Sequence, residues 1–290
     1  MKSILFNVGT GFEESYSYAI PALLGDMQES AFLQLAKVID PFGSWPENLQ
    51  PQLRKNATIL LERLRRRNRI LNCEALRGIP TCLLNAADCQ CEVERASHYA
   101  GTINLPSAAV EIKLDSYIGS AESIEIRKTD YSITNVESEE YWEQTILRPL
   151  FLNARKVTFV DRLLGAKWLE SATFRSSFEW LLKSLRSQSS LSRLEKTSLF
   201  TTIHRRDYYI ALKALCDRFD VSLENRAYSS GGVDSLPHAR YIISDAFGLR
   251  IDQGLDLLTK AGVTPSRIAL EGDPASTIAQ CMRAKRVTAQ

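Results

Sequence analysis

The chain holds three histidines, and one lies in a pattern that could do chemistry: His238-Ala239-Arg240-Tyr241-Ile242-Ile243-Ser244-Asp245, of the form His-x-Arg-x4-Asp. Side chains on an extended strand alternate between faces, so His238, Arg240 and Ile242 are expected on one side, an imidazole and a guanidinium one strand step apart. Imidazole can attack phosphorus or move a proton, and arginine neutralises phosphoryl oxygens through paired hydrogen bonds. The spacing therefore points to a phosphoryl group, with His238, Arg240 and Asp245 as candidate catalytic residues. Gly254-Leu255-Asp256 follows soon enough for Gly254 to bring the backbone to the same place. Asp161 is a candidate to orient His238, and equally a candidate turn former. Arg162, His204, Arg205 and Arg206 stand at expected strand ends, where open α/β sheets take ligands, and are candidate phosphate contacts. His204 is also a candidate second imidazole.

A second group of chemically able residues is Cys73, Cys82, Cys89, Cys91 and His98, drawn from six cysteines in all. Thiolates and imidazole could hold a tetrahedral zinc, but paired Cys-x2-Cys knuckles are missing, and Cys82 lies in an apolar run that suits a small buried side chain. Core or surface cysteines are the expectation, with no metal and no cofactor. A disulfide framework does not suit a chain of 290 residues without a secretory leader.

The elements that must position His238 are expected from about residue 139 onward. Glu137-Ser138-Glu139-Glu140 opens a helix to about residue 153, with Ser138 as cap. Lys156-Val157-Thr158-Phe159-Val160 reads as a strand ending on Asp161-Arg162. A helix over about 167–186 places Trp168, Phe174, Phe178, Leu181, Leu182 and Leu185 on one apolar face. Strands over 198–203, 221–228 and 238–243, a helix over 207–219 and glycine turns at 229–234 and 245–248 complete the alternation. Leu249-Arg250-Ile251 then precedes a short helix after Gly254. This alternation describes one α/β domain with a mixed sheet.

Upstream, Ser3 to Val8 reads as a strand, and residues 16–39 carry apolar side chains at helical spacing, interrupted by Pro21 and Gly25. Residues 53–71 form an amphipathic basic helix, with Ala57, Leu60, Leu61 and Leu64 on one face and Arg63, Arg65, Arg66, Arg67 and Arg69 on the rest. A solvated face is the favoured reading of those arginines over contact with nucleic acid. Residues 109–114 and 123–127 alternate as half-buried strands do. The fold class is thus α/β: a mixed α/β domain over 1–138, with no role assigned, and a second α/β domain over 139–290.

Charge divides along the same line. The total of +2 sums two unlike halves: residues 1–150 carry 15 Lys and Arg against 20 Asp and Glu, net −5, and residues 151–290 carry 21 against 14, net +7. The basic half suits a polyanionic partner. A hydrophobic fraction of 44% and a charged fraction of 24% exclude collagen-like and wholly disordered classes. No apolar run approaches the ~18 residues of a membrane-spanning helix, and a cytoplasmic location is expected.

These residues resemble the phospholipase D superfamily, whose His-x-Lys-x4-Asp motif uses histidine as a covalent phosphoryl acceptor without metal. The resemblance is nearer to a divergent branch, the phospholipase D-like domain at the C-terminus of some microtubule-interacting-and-trafficking proteins and in bacterial relatives, some linked to phage defence. That branch has a His-x-Arg motif, here His238-x-Arg240, and a Gly-Leu-Asp element, here Gly254-Leu255-Asp256. An earlier strand ending in Asp-Arg is matched by residues 156–162. The resemblance covers roughly residues 139–262. It implies a metal-independent nuclease or phosphodiesterase with His238 as nucleophile and Arg240 as phosphate clamp. Catalysis in the superfamily uses two histidines, so a homodimer bringing two copies of His238 together, or His204, would be needed. Two departures, Arg240 for lysine and Gly254-Leu255-Asp256 for a Gly-Ser-x-Asn pattern, keep open a non-catalytic module that binds nucleic acid, a phosphorylated lipid or a partner protein. A third reading is an adaptor that docks through its acidic N-terminal unit.

Overall fold

The computed structural model describes residues 2–6, 21–22, 24–26, 31–35, 50–67, 70–72, 130–133, 143–151, 154–188, 194–228, 234–245, 247–252, 254–255 and 266–290. The chain divides into two units, Met1–Thr129 and Asp130–Gln290. Residues 73–129, which include the cysteine group with His98 and the strands expected at 109–114 and 123–127, lie outside the described residues.

In the first unit, β1 (Lys2–Phe6), β2 (Ala31–Leu35) and β3 (Ile70–Asn72) form a parallel sheet in the order β1-β2-β3. Parallel neighbours need crossovers, and α1 (Pro51–Arg66) lies in the one between β2 and β3. Proline at the start of α1 removes an N–H that the first turn could not use, and Ala57, Leu61 and Leu64 form its buried stripe. Two expectations are corrected here. Helical spacing across 16–39 fails at residues 31–35, which pair with Lys2–Phe6 as a strand; a short apolar run has no period of its own, and pairing across the chain decides. The basic helix ends at Arg66, and Ile70 and Leu71 belong to β3.

The second unit is an α/β fold around a mixed sheet. Its strands are β4 (Asp130–Ile133), β5 (Lys156–Val160), β6 (Lys196–Thr201), β7 (Val221–Asn225), β8 (Arg240–Ser244), β9 (Gly248–Ile251) and β10 (Ser266–Leu270). The order is β4-β10-β9-β8-β5-β6-β7. β5, β6 and β7 run parallel, and every other neighbouring pair is antiparallel. The sheet thus begins upstream of residue 139, because Asp130–Ile133 pairs with β10 at its edge.

The helices are α2 (Arg148–Phe151), α3 (Arg162–Ala166), α4 (Ala172–Gln188), α5 (Arg206–Arg218) and α6 (Pro274–Arg283). A π-helical turn, Glu143–Leu147, precedes α2, and Pro149 supplies no N–H to continue a regular ladder there. Strand alternation sends Phe159 to one face of the sheet, where its ring meets Phe178 of α4 edge-on at 5.5 Å, with Trp168 packed against Phe178 in turn. Val160 turns to the other face, where it joins Phe200, Leu236, Tyr241, Ile243 and Cys281 of α6 in a buried cluster. The sheet is therefore covered on both sides, as a parallel core requires.

Candidate phosphate-binding site

Because β8 is antiparallel to β5, the start of β8 lies at the edge where β5, β6 and β7 end. The register pairs Val160 with Tyr241, so the next step along sets Asp161 opposite Arg240. Both are buried, Asp161 to 0% and Arg240 to 6% exposure, so each charge depends on the other and on nearby backbone. Arg240 Nε lies 3.8 Å from Asp161 Oδ1. That oxygen also accepts from the backbone N–H of Leu163 at 2.9 Å and of Leu164 at 3.2 Å, which caps α3. Asp161 Oδ2 accepts from Leu255 N at 3.1 Å. Burial pushes the Asp161 carboxyl up from the ordinary range, against the opposing pull of Arg240 and those three N–H groups. Arg240 Nη1 in turn donates to the carbonyls of His238 at 3.2 Å and Asp252 at 3.5 Å.

Arg162 is the first residue of α3, and its Nη2 stands 2.9 Å from His238 Nε2. A guanidinium can only donate, so Nε2 accepts with its lone pair and the imidazole is neutral in this contact. Arg162 Cζ also lies 3.8 Å over the Tyr228 ring, and the Tyr228 and His238 rings meet edge-on at 6.4 Å. Leu236 N donates to Ala227 O at 2.9 Å, tying the approach to His238 to the chain beside Tyr228. Arg162 Nε is buried without a hydrogen-bond partner, and burial, with the Arg240 charge behind it, holds this guanidinium below the usual arginine range. An exposed imidazole thus sits against an arginine whose charge is incompletely matched, an arrangement suited to an anion with several oxygens.

The expected site residues divide into those brought together and those kept apart. His238 is exposed in a bend before β8, and its imidazole meets Arg162, whereas Arg240 turns inward to Asp161. Gly254 is buried, and Leu255 next to it reaches the site by its bond to Asp161; Asp256 lies outside the described residues. Asp245 stands at the far end of β8, about 17 Å of strand from Arg240. There it accepts from the backbone of Arg155 at 2.9 Å and of Lys156 at 3.4 Å, steadying the start of β5.

His204 is exposed beyond β6, and no hydrogen bond joins it to His238 among the described residues. Arg205 is engaged by Asp207 at 2.6 Å and lies over the Tyr208 ring at 4.2 Å. Arg206 opens α5, its backbone N–H donating to Gln290 O at 2.9 Å. Tyr228 is the residue that sequence reasoning missed. An aromatic side chain directly before a Ser-Ser-Gly-Gly turn that leads back to His238 is the signal that would have found it.

No family model and no curated protein matches the chain. Among solved structures it is similar to TrmBL2, an archaeal chromatin protein whose structure shows a novel mode of DNA binding. The match has 11% identity over 83% of this chain and 87% of that one, with a TM-score of 0.29. A score at that level carries neither fold nor function across.

Proposed function

We propose that the second unit recognises a phosphodiester, with nucleic acid as the leading ligand, and that it acts as a phospholipase D-like, metal-independent nuclease or phosphodiesterase. The observation that carries this reading is the 2.9 Å contact between Arg162 Nη2 and His238 Nε2 at the edge where the parallel strands end. The net +7 of residues 151–290 supports it. In the reaction, a phosphate oxygen takes over Arg162, which frees the Nε2 lone pair to attack phosphorus. The N–P bond forms as the P–O bond to the leaving alkoxide breaks, and a second imidazole, His204 or His238 of another copy, protonates that alkoxide. Water then cleaves the N–P bond and restores His238.

Incubation with single- and double-stranded DNA and RNA in EDTA, beside a His238→Ala variant, tests the reading. Cleavage by the unaltered protein and none by the variant is expected. Cleavage that survives the substitution removes His238 from the mechanism.

A second reading is a binding module without turnover. It is favoured by the burial of Arg240 against Asp161, which leaves Arg162 as the arginine facing the imidazole. Salt-sensitive binding that is lost in Arg162→Ala, with no product in any reaction, is its signature.

A further inference from the structure

We infer that Asp161 and Arg240 are a positioning pair that fixes His238 against Arg162 without touching the ligand. The role rests on the phosphate reading of the His238–Arg162 contact. Asp161 Oδ1 caps α3, and the residue at the head of that helix is Arg162, so the carboxylate sets where this guanidinium starts. Arg240 Nε faces the same oxygen at an ion-pair distance of 3.8 Å without a hydrogen bond, and its Nη1 donates to the His238 carbonyl at 3.2 Å, so it sets where the imidazole starts. The two halves of the site, which come from segments 76 residues apart, are thus registered through one buried carboxylate. Its second oxygen holds Leu255 N, and Arg240 Nη1 also takes Asp252 O, so the chain around Gly254 is locked to the same pair.

Arg240 has 6% exposure, which leaves it unable to meet a phosphate from solvent as a clamp would. Arg162 takes the phosphate instead. An arginine that contacts phosphate and one that positions a neighbour differ in a measurable way. Losing a phosphate contact removes a released counterion and flattens the dependence of binding on salt, whereas losing a positioning group weakens binding at unchanged slope.

The imidazole supplies a second readout that needs no ligand. Donation from Arg162 to Nε2 leaves the proton of the neutral ring on Nδ1, and the nitrogen chemical shifts of His238 report that tautomer. In the 290-residue chain, Arg162→Met is expected to lose the Nδ1–H tautomer. Binding of a fluorescein-labelled single-stranded oligodeoxythymidylate should lose about 0.7 from its log–log salt slope.

Arg240→Lys keeps a buried cation beside Asp161, so the fold is retained, but its single ammonium cannot reproduce the fork that spans Asp161 and the two carbonyls. It is expected to lose the same tautomer and to bind the oligonucleotide more weakly at unchanged slope. The double variant Asp161→Leu/Arg240→Met leaves no lone buried charge but also removes the cap of α3, so it is expected to lose the tautomer and to weaken binding.

A His238 that keeps its Nδ1–H tautomer in either of these variants, or a salt slope that flattens in Arg240→Lys, overturns the positioning role. Failure of the unaltered protein to bind the oligonucleotide defeats the nucleic-acid reading instead, while the tautomer comparison still decides the role of the pair.

Discussion

Buried ionisable side chains set how the second unit responds to pH. Cys216 and Cys281 are both at 0% exposure, and burial pushes each thiol up from an ordinary 9.0 to about 12. Within the fold the proton stays on sulfur, while in the unfolded chain it leaves above about pH 9. The unfolded state then binds fewer protons than the folded one, so stability falls as pH rises from about 9 toward 12. Each pH unit within that window costs on the order of 1 kcal/mol per thiol. Urea midpoints measured across the range should fall, and fall less in Cys216→Ala/Cys281→Ala relative to that variant's own value at neutral pH. Site-resolved iodoacetamide labelling should find both thiols unmodified until the protein unfolds. A different constraint acts at Asp220, which follows α5 with a φ of 56°. Asparagine and aspartate tolerate that left-handed conformation and β-branched residues do not. Asp220→Val is expected to lower stability by about 1–2 kcal/mol in chemical denaturation, and Asp220→Gly to leave it equal or higher.

At the scale of elements, the site depends on how closely α3 can approach β6. Gly165 donates its N–H to Thr201 Oγ1 at 2.8 Å. A Cβ placed on Gly165 would stand 2.5 Å from Ile203 Cγ1 and 2.9 Å from both Thr201 Oγ1 and Thr202 O. Part of that obstruction is backbone, so α3 itself would have to move and carry Arg162 away from His238. Gly165→Ala is expected to cost about 1–3 kcal/mol and to weaken oligonucleotide binding together with stability. Thr201→Val leaves the Gly165 N–H buried without an acceptor and should also cost about 1–3 kcal/mol. Equilibrium unfolding in urea checks both values.

The strands and helices on either side of this contact were legible from their periodicity, from residues 156–160 through to 240–244. What periodicity could not reveal was which face each strand buries. It placed Arg240 with Ile242, yet Ile242 pairs with Phe159 beneath α4, so the shared face is the covered one. That covering comes from a helix more than fifty residues upstream, beyond any local pattern. β2 was misread, and β4, β10 and α6 were not anticipated, for the same reason. Each acquires its identity only by pairing with or packing on distant chain.

For the whole molecule, the question is where one folding unit stops and the next begins. An acidic stretch before residue 139 with a serine cap marks a helix start in the sequence, but a helix start is not a domain edge. The sheet of the second unit is completed by β4, whose Asp130–Ile133 pairs with β10 through four residues in register. A chain beginning at Asp130 keeps that edge strand. One beginning at Glu139 removes it and bares the N–H and C=O groups of β10 along the side that β4 had covered. An unpaired edge is a template for another chain, and the four-residue register of β4 on β10 is lost with it. The chain from Asp130 is therefore expected to be monodisperse or a defined dimer by size-exclusion chromatography with light scattering, and to melt cooperatively. The chain from Glu139 is expected to melt at lower temperature and to form larger species that grow with concentration. Both carry Asp161, Arg162, His238 and Arg240, so binding measured at high dilution should persist in both if the phosphate site belongs to the second unit. Equal melting temperatures and equal dispersity would mean that β4 adds nothing to the sheet's stability and that the folding unit starts at the helix after all.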